Sequence, residues 1–297
     1  MNSKLSYKLT KEDEDLYVKE LLQRKFLFSS RLIRQLKLVD ESLCLDNVPC
    51  RLRDKGREGQ VLTCEYPEET SYFEPEDIPL DVRYEDDDLL IINKQPFLIV
   101  HPTNNYQEHT LANAITYYMQ QKNETYKLRF VNRLDRDTSG LIIVAKNSHA
   151  QDFLSKTEIT KKYIAIVHGE IDGDGTINKP LAKDPNHVAR RMVTLNGQES
   201  ITHYHVIEKI SNYTKLELRL ETGRTHQIRA HMSYLGHILV GDDLYGSPAF
   251  PEVFGRQALH SYFLEFTHPV TGKTVQIETD IPEDMKELWN TLKNLQI

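Results

Sequence analysis

Cysteine is scarce in this chain and confined to one end. Its three thiols, Cys44, Cys50 and Cys64, form no Cys-x-x-Cys pair. An odd, scattered set of this kind argues against a disulfide framework and against a cysteine zinc site. Long apolar runs are missing too: none approaches the ~20 residues of a membrane span. The segment Met1 to Leu16 is polar and charged, without the apolar stretch of a signal peptide. The expectation is a cytoplasmic monomer with no membrane partner. Gly-x-Gly-x-x-Gly and the Walker phosphate loop are absent, so nothing supports a nucleotide cofactor. A zinc deaminase needs His-x-Glu together with Pro-Cys-x-x-Cys, and that combination is absent. No internal repeat or low-complexity tract is visible. The expected cofactor and metal content is none.

An overall surplus of positive charge is also lacking. The 297 residues carry a formal net charge of −7, which taken alone argues against a nucleic-acid partner. Phosphate binding, however, needs only a local basic surface. Arg24 to Arg57 holds nine basic residues against four acidic ones. Glu65 to Asp88 reverses the balance, with eleven acidic residues against Arg83 alone. The length suits about two domains. The pattern reads as a small basic module, 12–66, an acidic proline-containing linker, 67–80, and a larger mixed domain, 81–297.

In the basic module, Leu16 to Leu22 reads as a helix. Ser29-Ser30 offers an N-cap for a second helix, Arg31 to Leu38. Leu32, Leu36 and Leu38 can face inward there, leaving Arg31, Arg34, Gln35 and Lys37 outside. Strand-like pieces follow at Leu43–Leu45 and Val61–Cys64, with Asp46-Asn47 as a turn. From about Leu80 short strands dominate: Leu89–Ile92, Leu141–Ala145, Tyr163–His168, His203–Ile207 and an alternating Leu216–Leu220. Helical patterns cover Thr110–Met119, His149–Lys156, Thr225–Leu235 and Glu283–Leu292. The expected fold class is α+β, on a mixed or antiparallel sheet flanked by helices.

Three motifs carry possible chemistry. Val131 to Lys146 places Asp135 in a polar turn, two residues after Arg133 and just before Thr138-Ser139-Gly140 and an apolar strand. In isolation Asp135 is best explained as a surface aspartate paired with Arg133 or Arg136. A nucleophilic carboxylate needs the same features: a rigid position away from bulk water. The second motif is Glu221 to Met232, where Gly223 turns, Thr225 can cap a helix, and Arg224, His226 and Arg229 cluster. The third is Thr160 to Gly169, with Tyr163 opening a strand.

Taken together these motifs resemble the RluA-type pseudouridine synthases. Arg133-Leu134-Asp135 with Thr138-Ser139-Gly140-Leu141 matches the family's Arg-Leu-Asp, two variable residues, Thr-Ser-Gly-Leu. Thr222 to Arg229 matches Thr-Gly-Arg-Thr-His-Gln-Ile-Arg at every position. Lys161, Tyr163, Ala165, Val167 and Gly169 match Lys-x-Tyr-x-Ala-x-Val-x-Gly. Asn93 to Pro102, Gly241 to Gly246 and Leu259 to Pro269 extend the likeness. Asn132 stands where the family usually has histidine, and Gln95 and Phe97 stand where proline and glycine are common. The basic module is similar to the small α/β RNA-binding domain, of alpha-L type, named after small-subunit ribosomal protein four.

The resemblance implies an isomerase that detaches uracil from its ribose nitrogen, turns the ring and rejoins it through carbon. It assigns Asp135 as nucleophile or base, and Arg224 as the cation whose ion pair orients that carboxylate and favours its charged form. Tyr163 stacks on the base and is a candidate for the late proton abstraction. Arg133 fills the space vacated by a flipped uridine. Arg136, Thr138, His226 and Arg229, with Arg31, Arg34 and Lys37 of the basic module, are expected to hold RNA. Large-subunit ribosomal RNA is the expected target, transfer RNA the runner-up. A non-catalytic ribosome-assembly factor is the remaining alternative, and loss of Asp135, Tyr163 or Arg224 would have favoured it.

Overall fold

The computed structural model describes residues 3–26, 28, 30–36, 42–66, 73–103, 106–246 and 254–294. Lys37 and Leu38, and the end expected for the second helix, lie outside them. The N-terminal unit is β1 (Ser3–Lys8), α1 (Val18–Arg24), α2 (Ser30–Leu36), β2 (Leu43–Leu45), β3 (Val48–Pro49) and β4 (Val61–Tyr66). Its sheet runs β1-β4-β2-β3. Strand β1 pairs antiparallel with β4 from Ser3↔Tyr66 to Lys8↔Val61, so the unit starts well before residue 12. Asp46 and Asn47 both take positive φ, 51° and 64°, as a two-residue turn between β2 and β3 demands. Val18, Leu21 and Leu22 of α1 meet Leu32, Ile33 and Leu36 of α2 in one core with Leu62 and Cys64. No disulfide joins Cys44, Cys50 and Cys64.

Residues 73–80 carry no helix or strand but are docked. Asn113 Nδ2 donates to the Glu74 carbonyl at 2.8 Å, and Phe73, Ile78 and Leu80 pack on the core of the larger domain. That domain comprises β5 (Val82–Glu85), β6 (Leu89–Lys94), α3 (Leu111–Gln121), β7 (Arg129–Phe130), β8 (Ser139–Ala145), α4 (Ser148–Lys156) and β9 (Ile159–His168). It continues with β10 (Gly175–Asn178), β11 (Leu181–Lys183), β12 (Arg191–Val193), β13 (Ile201–Ile210), β14 (Tyr213–Leu220) and α5 (Gln227–Tyr234). It ends with β15 (Leu259–Thr267), β16 (Thr274–Glu278) and α6 (Glu283–Asn294). The main sheet has the order β10-β13-β14-β9-β15-β8-β6-β5, with β16 on β15 and β7 on β8. Its pairings are antiparallel except β8 with β15, which is parallel, so the sheet is mixed.

Helices cover both faces, which explains the unbroken apolar runs in β6, β8 and β9. On one face Ile92, Ile142 and Val144 pack under α3, and Leu89, Ile91 and Ile143 meet α4 on the other. In the other half Tyr163, Ala165 and Leu218 pack under Ile228 and Met232 of α5, while Ile164 and Ile166 meet Trp289 of α6. Leu134 packs into both the α3 and the α5 cores. The Arg133–Thr138 turn therefore lies where the two halves of the domain join.

Candidate active site

The turn that carries Asp135 is fixed by groups remote in sequence. Thr138 N–H donates to the Asp135 carbonyl at 3.1 Å and closes it locally. Lys94 Nζ donates to the Arg136 carbonyl at 3.0 Å. Arg256 Nη1 donates to the Asp137 carbonyl at 3.3 Å, and Gln257 Nε2 to Thr138 Oγ1 at 2.9 Å. Gly140 follows at φ +121°, and a Cβ there would sit 2.3 Å from the Ser261 carbonyl oxygen. Only a glycine lets β8 approach β15 so closely. Asn132 bridges β8 instead of facing the cleft: its Nδ2 donates to the Leu141 carbonyl at 3.0 Å and its Oδ1 accepts from Ile143 N–H at 2.8 Å.

The ion pair to Asp135 corrects the expectation for Arg224. Arg229 Nη1 donates to Asp135 Oδ2 at 2.9 Å. Arg224 is exposed, and its Nε donates to the Glu199 carbonyl at 3.1 Å. The cause is where α5 begins. Thr225 does not cap it; His226 does, in a left-handed conformation with φ 54°. Arg224 stays in the turn outside the helix, and Arg229 comes one turn further in. Gln227 locks this start, accepting from Arg224 N–H at 2.9 Å and donating to the Ile201 carbonyl at 2.9 Å.

Arg229 is itself held from behind. Its Nε and Nη2 grip the two oxygens of Asp242 at 2.7 and 2.8 Å. This is the two-pronged geometry a planar guanidinium favours. The Asp242 side chain is fully buried, and the Tyr245 ring lies 5.3 Å from the guanidinium carbon. Burial opposes the charge on Arg229, but Asp242 and then Asp135 outweigh it, so its pKa is raised. The row Asp242–Arg229–Asp135 fixes the carboxylate in position and balances its charge. Asp242 and Tyr245 belong to a segment that the sequence marked as similar to the family without giving it a role.

His226 Nε2 stands 3.7 Å from Asp135 Oδ2. Its buried Nδ1 has no hydrogen-bond partner among the described residues. Burial lowers its pKa, with Asp135 opposing that and Arg229 adding to it. Tyr163 lies mid-strand rather than at a strand start, between Leu218 of β14 and Ser261 of β15. Its phenol is pushed up to about 12 by burial, partly offset by the Ser261 hydroxyl and reinforced by the charge of Asp135. Asp135, Tyr163, His226, Arg229, Arg133 and Arg224 line one cleft of about 60 Å³. Thr138 is at its wall. Arg133 is exposed and free of any hydrogen bond or ion pair among the described residues. Arg136 is turned away onto Asp137, at 2.7 Å.

Arg34 is exposed on α2 of the N-terminal unit, beside Lys19 and Arg53, along a separate groove of about 690 Å³. Arg31 belongs to α2. The structure does not bring Arg34 into the cleft. Among the described residues Lys94 is the largest fully buried side chain, and the sequence motifs give it no role. Burial pushes it down to about 7, with Asp137 and Asp135 opposing that and Arg256 adding to it. A lysine closing the apolar run of β6 is the sequence signal that marks it.

Comparison with known proteins shows the family and the fold. The family model described as RNA pseudouridylate synthase matches residues 88–234. The chain is 43% identical over 242 residues to ribosomal large subunit pseudouridine synthase D of Haemophilus ducreyi, covering 76% of this chain and 74% of that protein. It is 39% identical over 269 residues to an uncharacterised RNA pseudouridine synthase of Bacillus subtilis, covering 88% and 94%. The solved structure of human RNA pseudouridylate synthase domain containing 1 shares the fold at TM-score 0.57 and 24% identity, over 75% of this chain and 98% of that one. Domain containing 4 does so at TM-score 0.59 and 20%, over 72% and 93%. A cleft whose one carboxylate is pinned by a buried arginine thus sits on a shared fold and in a shared sequence, and the chain belongs to the RNA pseudouridine synthase family of RluA type, an isomerase.

Proposed function

We propose that Asp135 is the catalytic carboxylate and that the substrate is a uridine of large-subunit ribosomal RNA. The observation that carries the first half is the 2.9 Å pair with Arg229, whose Nε and Nη2 are themselves held by the two oxygens of Asp242. The second half rests on relatives named as ribosomal large subunit enzymes at about 40% identity; transfer RNA is the competing substrate. The reaction breaks the bond from ribose C1′ to uracil N1 and forms one from C1′ to C5. The proton that leaves C5 is balanced by one gained at N1, so no reagent is consumed. Asp135 acts at the sugar–base bond, on a uridine taken out of its stack. Arg229 and Asp242 position it. The Tyr163 ring stacks on the base, and its hydroxyl is protonated at neutral pH because its pKa lies near 12. His226, whose Nε2 stands 3.7 Å from Asp135 Oδ2, meets the substrate from the cleft wall.

Arg133, unpaired at the cleft mouth, fills the gap left in the RNA, and Arg224 meets the backbone there. The N-terminal unit, with Arg31, Arg34 and Lys37, holds neighbouring RNA, and the protein works as a cytoplasmic monomer. The test is a map of pseudouridines in RNA from cells lacking the protein, repeated after adding back wild type or Asp135→Ala. We expect a site in large-subunit RNA to vanish and to return with wild type alone. If no site vanishes, or if Asp135→Ala restores it, the assignment of Asp135 fails.

A further inference from the structure

One departure in the sequence has no part in the chemistry above. Phe97 stands where glycine is common in the family, and its φ is +65°. Gln95-Pro96-Phe97-Leu98 follows β6 as a turn. Proline at the second position and a positive φ at the third are the type II pattern, which favours glycine third because it has no Cβ. A phenylalanine holds that conformation at a cost glycine would not bear. Burial of the ring does not offset the cost, since Phe97 is 59% exposed. The residues on either side are held firmly. Lys94 Nζ donates to the Gln95 carbonyl at 2.9 Å. Leu98 and Val100 are buried in the core under α3, and Leu111 N–H donates to the Ile99 carbonyl at 2.7 Å. The turn is a rigid mount that carries an aromatic ring into solvent.

That mount is joined to the catalytic turn. The Lys94 Nζ that holds the Gln95 carbonyl also donates to the Arg136 carbonyl at 3.0 Å, one residue past Asp135. Leu134, one residue before Asp135, packs in the same core as Leu98. A lone exposed apolar side chain is ordinary on a protein surface. An aromatic one, held in a strained conformation on a rigid turn beside Asp135, is not. Neither backbone preference nor core packing accounts for it, and strain of this kind marks a contact with a ligand. The substrate class of this family is RNA. An enzyme that takes a uridine out of its stack works on RNA whose nearby unpaired bases each offer a face. An aromatic ring stacks on such a face, and a ring already fixed in place loses little freedom in doing so.

We propose that Phe97 is a stacking platform for one unpaired base of the substrate RNA, and that it narrows which uridines are accepted. The proposal rests on the RNA-uridine reading of the cleft. Its test uses the full chain, as wild type, Phe97→Gly and Phe97→Tyr, against total RNA from cells lacking the protein. Glycine suits a φ of +65°, so Phe97→Gly removes the ring without straining the turn, and its urea midpoint should stay near that of wild type. Loss of one base–aromatic stack should raise KM roughly 5- to 150-fold, with the loss falling on KM rather than kcat, and should shift the relative rates among mapped uridines. Phe97→Tyr keeps the ring and should retain the wild-type KM and site preference. Unchanged KM and site preference in Phe97→Gly would overturn the proposal. So would a Phe97→Gly midpoint far below wild type, which would make the ring a packing element of the fold, and so would a Phe97→Tyr as poor as Phe97→Gly. If the wild type modifies no RNA, the cleft reading fails instead. Filter binding of the same RNA to wild type and Phe97→Gly then decides the platform: a loss of affinity of that size supports it, and equal affinity overturns it.

Discussion

Replacing Arg229 by lysine tests the row behind Asp135 most directly. The guanidinium makes three charge-assisted bonds at once, two to Asp242 at 2.7 and 2.8 Å and one to Asp135 at 2.9 Å. An ammonium is a point donor on a flexible stem. It cannot span both oxygens of one carboxylate and reach a second carboxylate in the same pose. Lysine therefore forfeits at least the bond to Asp135, or keeps it and leaves Asp242 half satisfied. A hydrogen bond to a charged group contributes about 1.5–3 kcal/mol. If that bond positions Asp135 in the transition state, its loss slows the chemical step by roughly 10- to 150-fold. The loss should fall on kcat, because Arg229 is buried behind the carboxylate and adds little to the surface that RNA meets.

Arg224→Lys is the matched control. Arg224 is exposed and gives one Nε bond to a backbone carbonyl, so its variant should keep kcat within about threefold and change mainly KM and salt dependence. The assay is single-turnover pseudouridine formation at saturating RNA, with circular dichroism to confirm that both variants are folded. A folded Arg229→Lys that reacts like wild type, beside an Arg224→Lys that does not, would refute the assignment of the ion pair.

Gly140→Ala forces a side chain into the Ser261 backbone at a φ of +121°. Overpacking and backbone strain of about 1–3 kcal/mol each should lower the midpoint of chemical denaturation sharply and abolish activity with it. Lys94 gives a pH signature: its pKa falls from 10.5 to about 7 on folding, so between those values the unfolded chain binds more protons and stability rises with pH. Below about pH 7 both states are protonated and this slope vanishes, and Lys94→Met should remove up to about 1.4 kcal/mol per pH unit from the rise seen in urea titrations between pH 7 and 10. The same slope in wild type and variant would show that burial does not neutralise this lysine. Tyr163→Phe keeps the ring and loses a hydroxyl that is protonated at pH 7, so it should lose less than the ~10²–10⁴-fold that removal of a general base costs; a loss inside that range would return the proton abstraction to the hydroxyl.

Much of the fold was legible because its strands are either buried on both faces or clearly one-sided. β6, β8 and β9 read as apolar runs, and β14 alternates. β1 was not legible, since Ser3–Lys8 is polar and becomes a strand only by pairing with Val61–Tyr66. β11 and β12, three residues each, offer no periodicity to read. At the site, Asp135, Tyr163 and the cleft arginines were found by motif, yet the arginine in contact with Asp135 was misplaced by five positions. Local sequence favoured Thr225 as the helix cap. Tertiary bonds from Gln227 to Ile201 and Thr202 shift the start of α5 instead, and helix phase then decides which arginine faces Asp135.

That shift also bears on how a carboxylate is held in a protein of net negative charge. Three cationic side chains, Lys94, Arg229 and Arg256, are 0%, 6% and 3% exposed around the Asp135 turn. Burying a cation costs several kcal/mol unless a counter-charge and hydrogen bonds offset it. Arg229 has Asp242 and Asp135; Arg256 has Asp284 at 2.7 Å. Lys94 has no carboxylate within hydrogen-bond reach among the described residues, only the carbonyls of Gln95 and Arg136. A pKa near 7 is the consequence. Near neutral pH Lys94 sheds much of its charge and still donates to the turn. Its part is then to fix the backbone, as Arg256 does at Asp137, while Arg229 supplies the charge that faces Asp135. The turn is rigid because several distant segments each hold one of its backbone or hydroxyl oxygens, and the carboxylate it presents is balanced by a single arginine whose own position is set by Asp242.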